Sequence, residues 1–266
     1  MYGIVNRTQW LTPGLVRITL SDGELGNFVM IPETDAYLNI AIPPAGAPYR
    51  PVFDPAEVKE TSDKSWWPAR RRYTVRAWRP EPRELDIDFV VHGDSGIAGP
   101  WAANAQPGDV LVFTGPGGGY RPDPDADWQL MIGDESALPA IAASLEALPE
   151  GARAIVRLLC DGPGHELELA GARDHDIRWL HRAAAPDDAD LLLRATREIE
   201  FPPGRPHAFV HGEAEEIRGI RRHLLGERGL TRADMSCSPY WRRHMTDEAW
   251  RTVKRDFVAA MEAEQA

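Results

Sequence analysis

The sequence predicts a β + α/β fold: a β-rich antiparallel half followed by a half in which strands and helices alternate. The chain has 266 residues, enough for two modest domains. In roughly the first 120 residues, short strand-like runs are separated by Pro, Gly and Asp turns, which favours an antiparallel barrel or sandwich. From Trp128 onward, strand-like and helix-like segments alternate, which predicts a parallel sheet covered by helices.

The strands of the first half are predicted from β-type composition and from alternation along the chain. Residues 85–91 show this best, because apolar and acidic side chains alternate there before both faces become apolar. Similar strand-like runs are residues 15–20, 37–42 and 110–113. Residues 43–69 contain six prolines and predict a long connection over the surface.

The second half begins after a glycine-rich run at residues 115–119. Its strands are predicted at residues 130–132, 154–159, 177–180 and 208–210, and its helices at about 136–147, 187–197 and 213–225. A last helix is predicted from Thr246 onward, since apolar residues recur there at helical spacing and would dock it on the domain.

Composition and charge argue against several classes of protein. Lys and Arg number 30 against 41 Asp and Glu, a net charge of −11 that argues against a nucleic-acid binder. No run approaches the roughly 20 apolar residues of a membrane span, so we expect no membrane insertion. The N-terminus lacks the basic and apolar regions of a secretory signal, and we therefore expect a cytoplasmic protein.

The cysteines and histidines limit how the protein could carry electrons. Cys160 and Cys237 cannot supply the four thiolates of an ordinary iron–sulfur cluster, and each is interpreted as a small buried hydrophobe. An electron carrier would then be a bound organic cofactor or a metal held by nitrogen and oxygen. His207 and His211 would lie ~13 Å apart on a strand, too far to share a metal, and we expect no metal site.

The first informative stretch is the hexapeptide Arg71-Arg72-Tyr73-Thr74-Val75-Arg76. On a strand, Arg71 and Tyr73 share one face and Thr74 points to the other. A guanidinium fork suits a pyrophosphate, an aromatic ring suits stacking on a flavin, and a hydroxyl suits a hydrogen bond to the flavin ring. An edge strand with solvated arginines and a core tyrosine explains the same hexapeptide.

The second stretch is a strand that ends in His92-Gly93, followed by a glycine-bearing turn and a short helix over residues 96–102. Free backbone N–H groups at a helix start can bind an anion, and Pro100 suits the first helical turn. A simple turn before a surface helix is the alternative interpretation.

The third stretch, residues 132–141, is a strand that runs through one glycine into a helix. This is where nucleotide phosphates bind in open α/β sheets, although the G-x-G-x-x-G fingerprint is absent. Asp134 and Glu135 would repel phosphate unless they point away or cap the helix.

Taken in order, these stretches resemble the siderophore-interacting protein family. That family comprises FAD-containing, NAD(P)H-dependent ferric-siderophore reductases of the ferredoxin–NADP⁺ reductase superfamily. Residues 211–214, the arginine-rich segment after them, and residues 240–243 extend the resemblance to roughly residues 3–245. It implies a six-stranded antiparallel Greek-key β-barrel that binds FAD at residues 1–122. It also implies an α/β domain at residues 123–266 that binds NAD(P)H and carries the C-terminal docking helix.

The resemblance also implies roles for particular residues. Arg71 would hold the FAD pyrophosphate, Tyr73 would stack on the isoalloxazine, and Thr74 would approach its N5 edge. The FAD site would also include Val75, Val90, His92, Gly93, Gly96, Ala98, Gly99 and Trp101. The residues implied to face NAD(P)H or the flavin are Gly133, Asp134, Glu135, Ser136, Ala137, Gly212, Glu213, Ala214, Tyr240 and Trp241. Apart from the resemblance, the positive charge of Arg76 and Arg242 makes them candidates to attract an anionic ferric complex, and ordinary solvated surface is the alternative interpretation.

The chain departs from the family pattern at a few positions. Gly99 stands where many relatives have a serine or threonine, and His244 where many have a glycine. Some relatives also have a lysine in the substrate pocket, which cannot be placed among Lys59, Lys64 and Lys254. The choice between NADH and NADPH stays open, since the arginines at 218, 221 and 222 suit either a ribose phosphate or an exposed helix face.

The implied reaction passes hydride from the nicotinamide to flavin N5 and then single electrons to a ferric siderophore, which releases Fe(II). The flavin would do the chemistry, so we predict no catalytic acid or base, and we expect a monomer. Two alternatives remain open. One is a flavin reductase that serves a ferredoxin, a quinone or another acceptor; the other is a non-catalytic flavin- or siderophore-binding protein.

Overall fold

The computed structural model describes residues 1–93, 96–169, 171–186 and 188–264. The chain divides into two compact units, Met1–Gly119 and Tyr120–Ala266.

The first unit is a closed barrel of six strands. The strands are β1 (Tyr2–Thr12), β2 (Leu15–Ser21), β3 (Tyr37–Ile42), β4 (Ala69–Arg79), β5 (Glu84–Val90) and β6 (Val110–Gly117). The order around the barrel is β1-β2-β5-β4-β3-β6, and every neighbouring pair is antiparallel. The predicted antiparallel Greek-key barrel is confirmed.

Two short helices complete this unit. The proline-rich connection contains α1 (Pro55–Thr61), whose first turn is capped where Asp54 accepts a hydrogen bond from the Ala56 N–H at 2.7 Å. Helix α2 (Ala98–Asn104) follows the end of β5. Ala98 and Ala102 of α2 belong to the barrel core together with Phe89, so α2 closes one end of that core.

A network of ion pairs joins β1, β2, β4 and β5. Asp86 is 4% exposed and accepts hydrogen bonds from Arg79 at 2.7 and 2.9 Å and from Thr19 at 2.6 Å. Glu84 accepts from Arg7 at 2.7 Å and from Arg79 at 2.8 Å. These two arginines lower the pKa of Glu84 to about 2. Burial alone would raise the pKa of Asp86, but the bonds from Arg79 and Thr19 outweigh it and lower that pKa.

We expect the free energy of unfolding to fall as the pH falls from 4.5 towards about 2. A carboxyl group whose folded pKa is lowered stabilises the protein above its unfolded pKa, and this contribution is lost as it is protonated. Urea unfolding at a series of pH values, with the wild type and Glu84→Gln, measures the effect. The Glu84→Gln curve should depend less on pH in this range. As a control, replacing the exposed Glu60 of α1 with Gln should leave the wild-type profile unchanged. Parallel profiles for Glu84→Gln and wild type would contradict the prediction.

The second unit is a five-stranded parallel sheet with helices. Its strands are β7 (Trp128–Asp134), β8 (Ala154–Cys160), β9 (Asp176–His181), β10 (Pro206–Glu213) and β11 (Met235–Trp241). Its helices are α3 (Leu138–Glu146), α4 (Leu191–Arg197), α5 (Ala214–Gly226) and α6 (Asp247–Ala263). The strand order is β11-β10-β7-β8-β9, and all neighbours are parallel, which confirms the predicted α/β class.

The strand order reverses between β7 and β10. From β7 the chain continues outward to β8 and β9, then crosses back to β10 and β11 on the other side. Ligands of open α/β sheets bind at the carboxyl ends of the strands beside such a reversal. The carboxyl ends of β7 and β10 are therefore the expected ligand site of this unit.

Helix α5 buries the face that its sequence predicts, since Ile217, Ile220 and Leu224 have no exposed surface. Helix α6 begins after Thr246, whose hydroxyl accepts a hydrogen bond from the Ala249 N–H at 3.2 Å. Trp250, Phe257 and Met261 of α6 form a small buried cluster with Ala214, the first residue of α5. Among the described residues, no helix is both long and apolar enough to cross a bilayer.

Candidate functional site

Strand β4 of the barrel changes its pairing partner halfway along. Its first part, through Thr74, pairs with β3, and its second part, from Val75, pairs with β5. The β4–β5 ladder ends at the Val75–Ile87 pair, with a bulge between Val75 and Ala77, while β5 continues beside β2 as far as Val90. On the N-terminal side of that pair β4 therefore pairs with β3 instead of β5.

A row of aromatic rings lies where the β4–β5 ladder ends. The Tyr73 ring centroid is 4.3 Å from that of Phe89, with the ring planes at 32°, and Phe89 is 5.6 Å from Trp101 of α2. Phe89 is completely buried, whereas Tyr73 and Trp101 are only partly buried. The row therefore has one buried ring, Phe89, and two rings that reach the surface.

The other residues predicted for the flavin lie on β4, at the end of β5 and just beyond it. Arg71 lies two positions before Tyr73 on β4 and is half-buried, and its Nη1 donates to the Arg70 carbonyl at 3.0 Å. Thr74 is 8% exposed and is paired with Tyr37 of β3. Val75 is buried, Val90 ends β5, and His92 is exposed just beyond it.

The turn between β5 and α2 contains glycines in conformations that other residues rarely adopt. Gly93 has φ of +64° and Gly96 of +83°, and a Cβ at either would meet nothing within 4 Å. At Gly93 and at Gly96 the backbone therefore borders open space. At Gly99 a Cβ would lie 3.0 Å from the Val90 carbonyl oxygen, so glycine allows α2 to rest directly on the end of β5.

These features fit the two ends of FAD. Two partly buried rings packed on the buried Phe89 suit the flat isoalloxazine, because aromatic rings pack favourably in offset or tilted arrangements. A guanidinium on the same strand as Tyr73 and a glycine-containing turn after β5 each suit the pyrophosphate. The residues present in the first unit therefore fit FAD.

At the end of β7, the turn that begins at Gly133 is tightly packed. A Cβ at Gly133 would lie 2.5 Å from the Ala137 Cβ and 2.7 Å from the His211 carbonyl oxygen. Only glycine lets α3 approach β7 and β10 this closely. Asp134, next in the chain, is 1% exposed, and its Oδ1 accepts hydrogen bonds from the N–H and the hydroxyl of Ser136.

Asp134 also holds the last residue of β11. The Trp241 Nε1–H donates to Asp134 Oδ2 at 2.7 Å, although the two residues are 107 positions apart. Gly212 makes room for this carboxylate, since a Cβ there would lie 2.8 Å from Asp134 Oδ2. Asp134 thus points into the turn and towards β11.

Glu135 is held by a residue that the sequence analysis did not single out. Arg182, which follows β9, donates to its two carboxylate oxygens at 2.6 and 2.8 Å. Arg182 Nη1 also donates to Asp161, which follows β8, at 3.0 Å. Burial alone would lower the pKa of Arg182, but its bonds to the Glu135 carboxylate outweigh burial and raise it, whereas burial raises the pKa of Glu135 in spite of Arg182. A signal was present in the sequence, because Asp161 and Arg182 both follow predicted strands of one parallel sheet.

The residues predicted to bind the nucleotide around Gly212 lie in different surroundings. Glu213 is 2% exposed and caps α5, where its Oε2 accepts hydrogen bonds from the Glu215 and Glu216 N–H groups at 2.9 and 3.1 Å. Ala214 has no exposed surface and packs against α6. Of this set, only Gly212 lies beside the Asp134 carboxylate.

At the end of β11, Tyr240 packs against a buried histidine. The His211 ring stacks on Phe209 at 4.0 Å and lies 4.8 Å from Tyr240, and its Nε2 is 2.9 Å from the Ser236 hydroxyl. Burial lowers the pKa of His211 to about 3, so the ring is neutral in the physiological range. Trp241, in contrast, is 36% exposed at the surface of this end of the sheet.

The arginines suggested for substrate or ribose phosphate are largely engaged elsewhere. Arg242 donates to Glu215 at 2.6 Å and lies over the Phe257 ring at 5.2 Å. Arg218 pairs with Glu264, and the buried Arg221 donates to the Met261 carbonyl at 2.9 Å, so both hold α6 on α5. Arg222 is exposed on α5, and Arg76 lies at the bulge of β4.

Comparison with known proteins places both units in one family. A family model described as the siderophore-interacting FAD-binding domain matches residues 4–120, and one described as siderophore-interacting protein matches residues 126–244. The ferric vibriobactin reductase ViuB of Vibrio cholerae is 35% identical over 258 residues, which cover 92% of this chain and 90% of the relative. The NADPH-dependent ferric-chelate reductase of Escherichia coli is 28% identical, over 84% of this chain and 85% of the relative.

A solved structure agrees with these matches. The siderophore-interacting protein SipS from Aeromonas hydrophila has a TM-score of 0.82 and 30% identity, covering 97% of this chain and 98% of SipS. The fold of both units and their order along the chain are thus shared with SipS. The chain belongs to the siderophore-interacting protein family, with a siderophore-interacting FAD-binding domain as its first unit.

Proposed function

We propose that this protein is a flavin-dependent reductase that passes electrons from NADH or NADPH through FAD to a ferric siderophore and thereby releases Fe(II). The observation that carries the proposal is the row of Tyr73, Phe89 and Trp101 where the β4–β5 ladder ends. The names of the V. cholerae and E. coli relatives support a ferric substrate.

The barrel residues would hold and orient the cofactor. Tyr73 would cover one face of the isoalloxazine, Arg71 would neutralise the pyrophosphate, and Thr74 would donate a hydrogen bond to the ring edge. Bound FAD would supply the exchange between a two-electron donor and the single electrons that Fe(III) takes up. Siderophores bind Fe(III) through hard oxygen donors, which hold Fe(II) less tightly, so reduction would release the metal.

The sheet residues would receive the nicotinamide nucleotide at the strand reversal between β7 and β10. Gly133 would let the backbone approach the nucleotide closely, as it already lets α3 approach the sheet. Asp134 would keep Trp241 at the end of β11, and this places an indole ring beside the turn. These residues position the reactants, and none of them is required as an acid or a base.

A visible spectrum of the purified protein tests the proposal most directly. We expect a yellow protein whose absorbance near the flavin maximum disappears on anaerobic addition of NADH or NADPH. Addition of a ferric siderophore with a ferrous chelator should then restore the flavin spectrum and form the ferrous complex. A colourless preparation that takes up no added FAD would contradict the proposal.

One observation favours the second candidate, a flavin-binding protein without turnover. The N–H and hydroxyl of Ser136 are already bonded to Asp134, so they are not free for a phosphate as the structure stands. Steady-state oxidation of NADH or NADPH by the FAD-loaded protein separates the candidates, because a binding protein would show none. If oxidation occurs without ferrous iron being trapped, the acceptor is another molecule, such as a ferredoxin or a quinone.

A further inference from the structure

The carboxyl ends of β8 and β9 carry a charge arrangement that bears on the choice of nucleotide. Strand β8 is the sheet neighbour of β7 on the side away from the reversal. When a dinucleotide lies across such a sheet, its pyrophosphate meets the turn after the first strand and an acidic residue further along binds the adenosine ribose. The first residue after β8 is Asp161, and its side chain is 61% exposed.

Negative charge predominates at this end of β8. Residues 161–169 contain Asp161, Glu166 and Glu168 but no lysine or arginine. His181, the last residue of β9, lies with its Nε2 2.7 Å from Glu166. A phosphate placed here would therefore lie beside carboxylates.

The nearby cation, Arg182, is already committed to carboxylates. Both of its terminal nitrogens donate to Glu135, which is only 15% exposed, and one of them also donates to Asp161. To bind a phosphate, Arg182 would have to leave Glu135, and the largely buried Glu135 carboxylate would then lack an ion-pair partner. That is costly, because a buried charge needs compensation.

We propose that Asp161, together with the Glu135–Arg182 pair, makes this chain select NADH over NADPH. The ribose 2′-hydroxyl of NADH can donate a hydrogen bond to the exposed Asp161 carboxylate. The 2′-phosphate of NADPH would instead bring close to two negative charges against that carboxylate. The inference rests on the proposed function, since it assumes that a nicotinamide nucleotide binds at the reversal. It differs from the NADPH dependence named for the E. coli relative.

Calorimetric titration of the FAD-loaded protein with ADP-ribose and with 2′-phospho-ADP-ribose tests this proposal. These probes carry the ribose end of each nucleotide but no nicotinamide, so the measurement is binding and not turnover. We expect the wild type to bind ADP-ribose at least about tenfold more tightly, the effect of one added repulsion between close charges at a partly exposed site.

Two variants and a control make the test specific. Asp161→Asn removes the exposed carboxylate and should bring the two affinities within about threefold. Adding Glu135→Gln releases Arg182 and should shift the preference further towards the 2′-phosphate. The control is Asp174→Asn, which also removes one carboxylate. Asp174 lies just before β9, at the opposite end of that strand, so this change should leave the wild-type ratio of the two affinities unchanged.

Three outcomes overturn the inference. The first is that the wild type binds 2′-phospho-ADP-ribose as tightly as ADP-ribose or more tightly. The second is that Asp161→Asn leaves the ratio of the two affinities unchanged. The third is that Asp174→Asn changes this ratio as much as Asp161→Asn does. If the flavin is nevertheless bleached by a nicotinamide nucleotide, the proposed reductase function survives and only the selectivity is lost. If neither probe binds and neither NADH nor NADPH bleaches the flavin, both proposals fall together.

Discussion

Replacing Tyr73 with alanine is expected to leave the purified protein with little or no FAD. Tyr73 is the partly buried ring that rests on Phe89 where the β4–β5 ladder ends, so its removal takes away one wall of the proposed isoalloxazine site. Loss of a stacked aromatic contact together with its buried area costs about 2–3 kcal/mol, which corresponds to roughly a 30- to 150-fold rise in the Kd for FAD.

Tyr73→Phe is the matched control, because it keeps the ring and removes only the hydroxyl. It should retain FAD within a few-fold of the wild type. The Kd is measured by titrating the apo-protein with FAD and following the quenching of flavin fluorescence, and thermal unfolding of the apo-protein is recorded in parallel. If Tyr73→Ala bound FAD like the wild type and only unfolded at a lower temperature, Tyr73 would be a packing residue and the proposed site would be wrong.

Much of the fold could be predicted from local patterns in the sequence. Residues 85–91 alternate apolar and acidic side chains, and the structure has β5 at Glu84–Val90. Strands β1 and β11 were not predicted, for identifiable reasons. The middle of β1 is polar and exposed on both faces, so it shows no alternation. Strand β11 contains Pro239 and small polar residues, which are depleted in strands, yet it pairs with β10 along its length.

In the candidate site, too, features set by neighbouring residues could be predicted from the sequence, whereas contacts between residues far apart in the sequence could not. That Arg71 and Tyr73 share a strand face follows from the two-residue period alone. The role of Asp134 does not, because it depends on Trp241, which lies 107 residues later. Likewise, the pairing of Glu135 with Arg182 spans 47 residues and exists only because β7 and β9 flank β8 in one sheet. Sequence patterns could name these residues, but only the strand order could bring them together.

Gly133→Ala is expected to destabilise the second unit by about 3 kcal/mol or more and to abolish nucleotide binding. The new methyl group would lie 2.5 Å from the Ala137 Cβ and 2.7 Å from the His211 carbonyl oxygen. Neither neighbour is the end of a flexible side chain, so α3 must move away from the sheet. Overpacking of this kind costs typically 1–3 kcal/mol, and more when backbone must shift. Urea unfolding of the variant measures the loss, and titration with ADP-ribose measures the binding.

Gly226→Ala provides the control, because a Cβ at Gly226 would meet nothing within 4 Å at the end of α5. Alanine is favoured over glycine in a helix by up to about 1 kcal/mol, so this variant should be as stable as the wild type or slightly more so. The contrast isolates the crowding at Gly133 from the general effect of exchanging glycine for alanine. If Gly133→Ala were as stable as Gly226→Ala and still bound the nucleotide, the close approach of α3 to β7 would not be what shapes the turn. The pyrophosphate would then have to be sought at another strand end of the sheet.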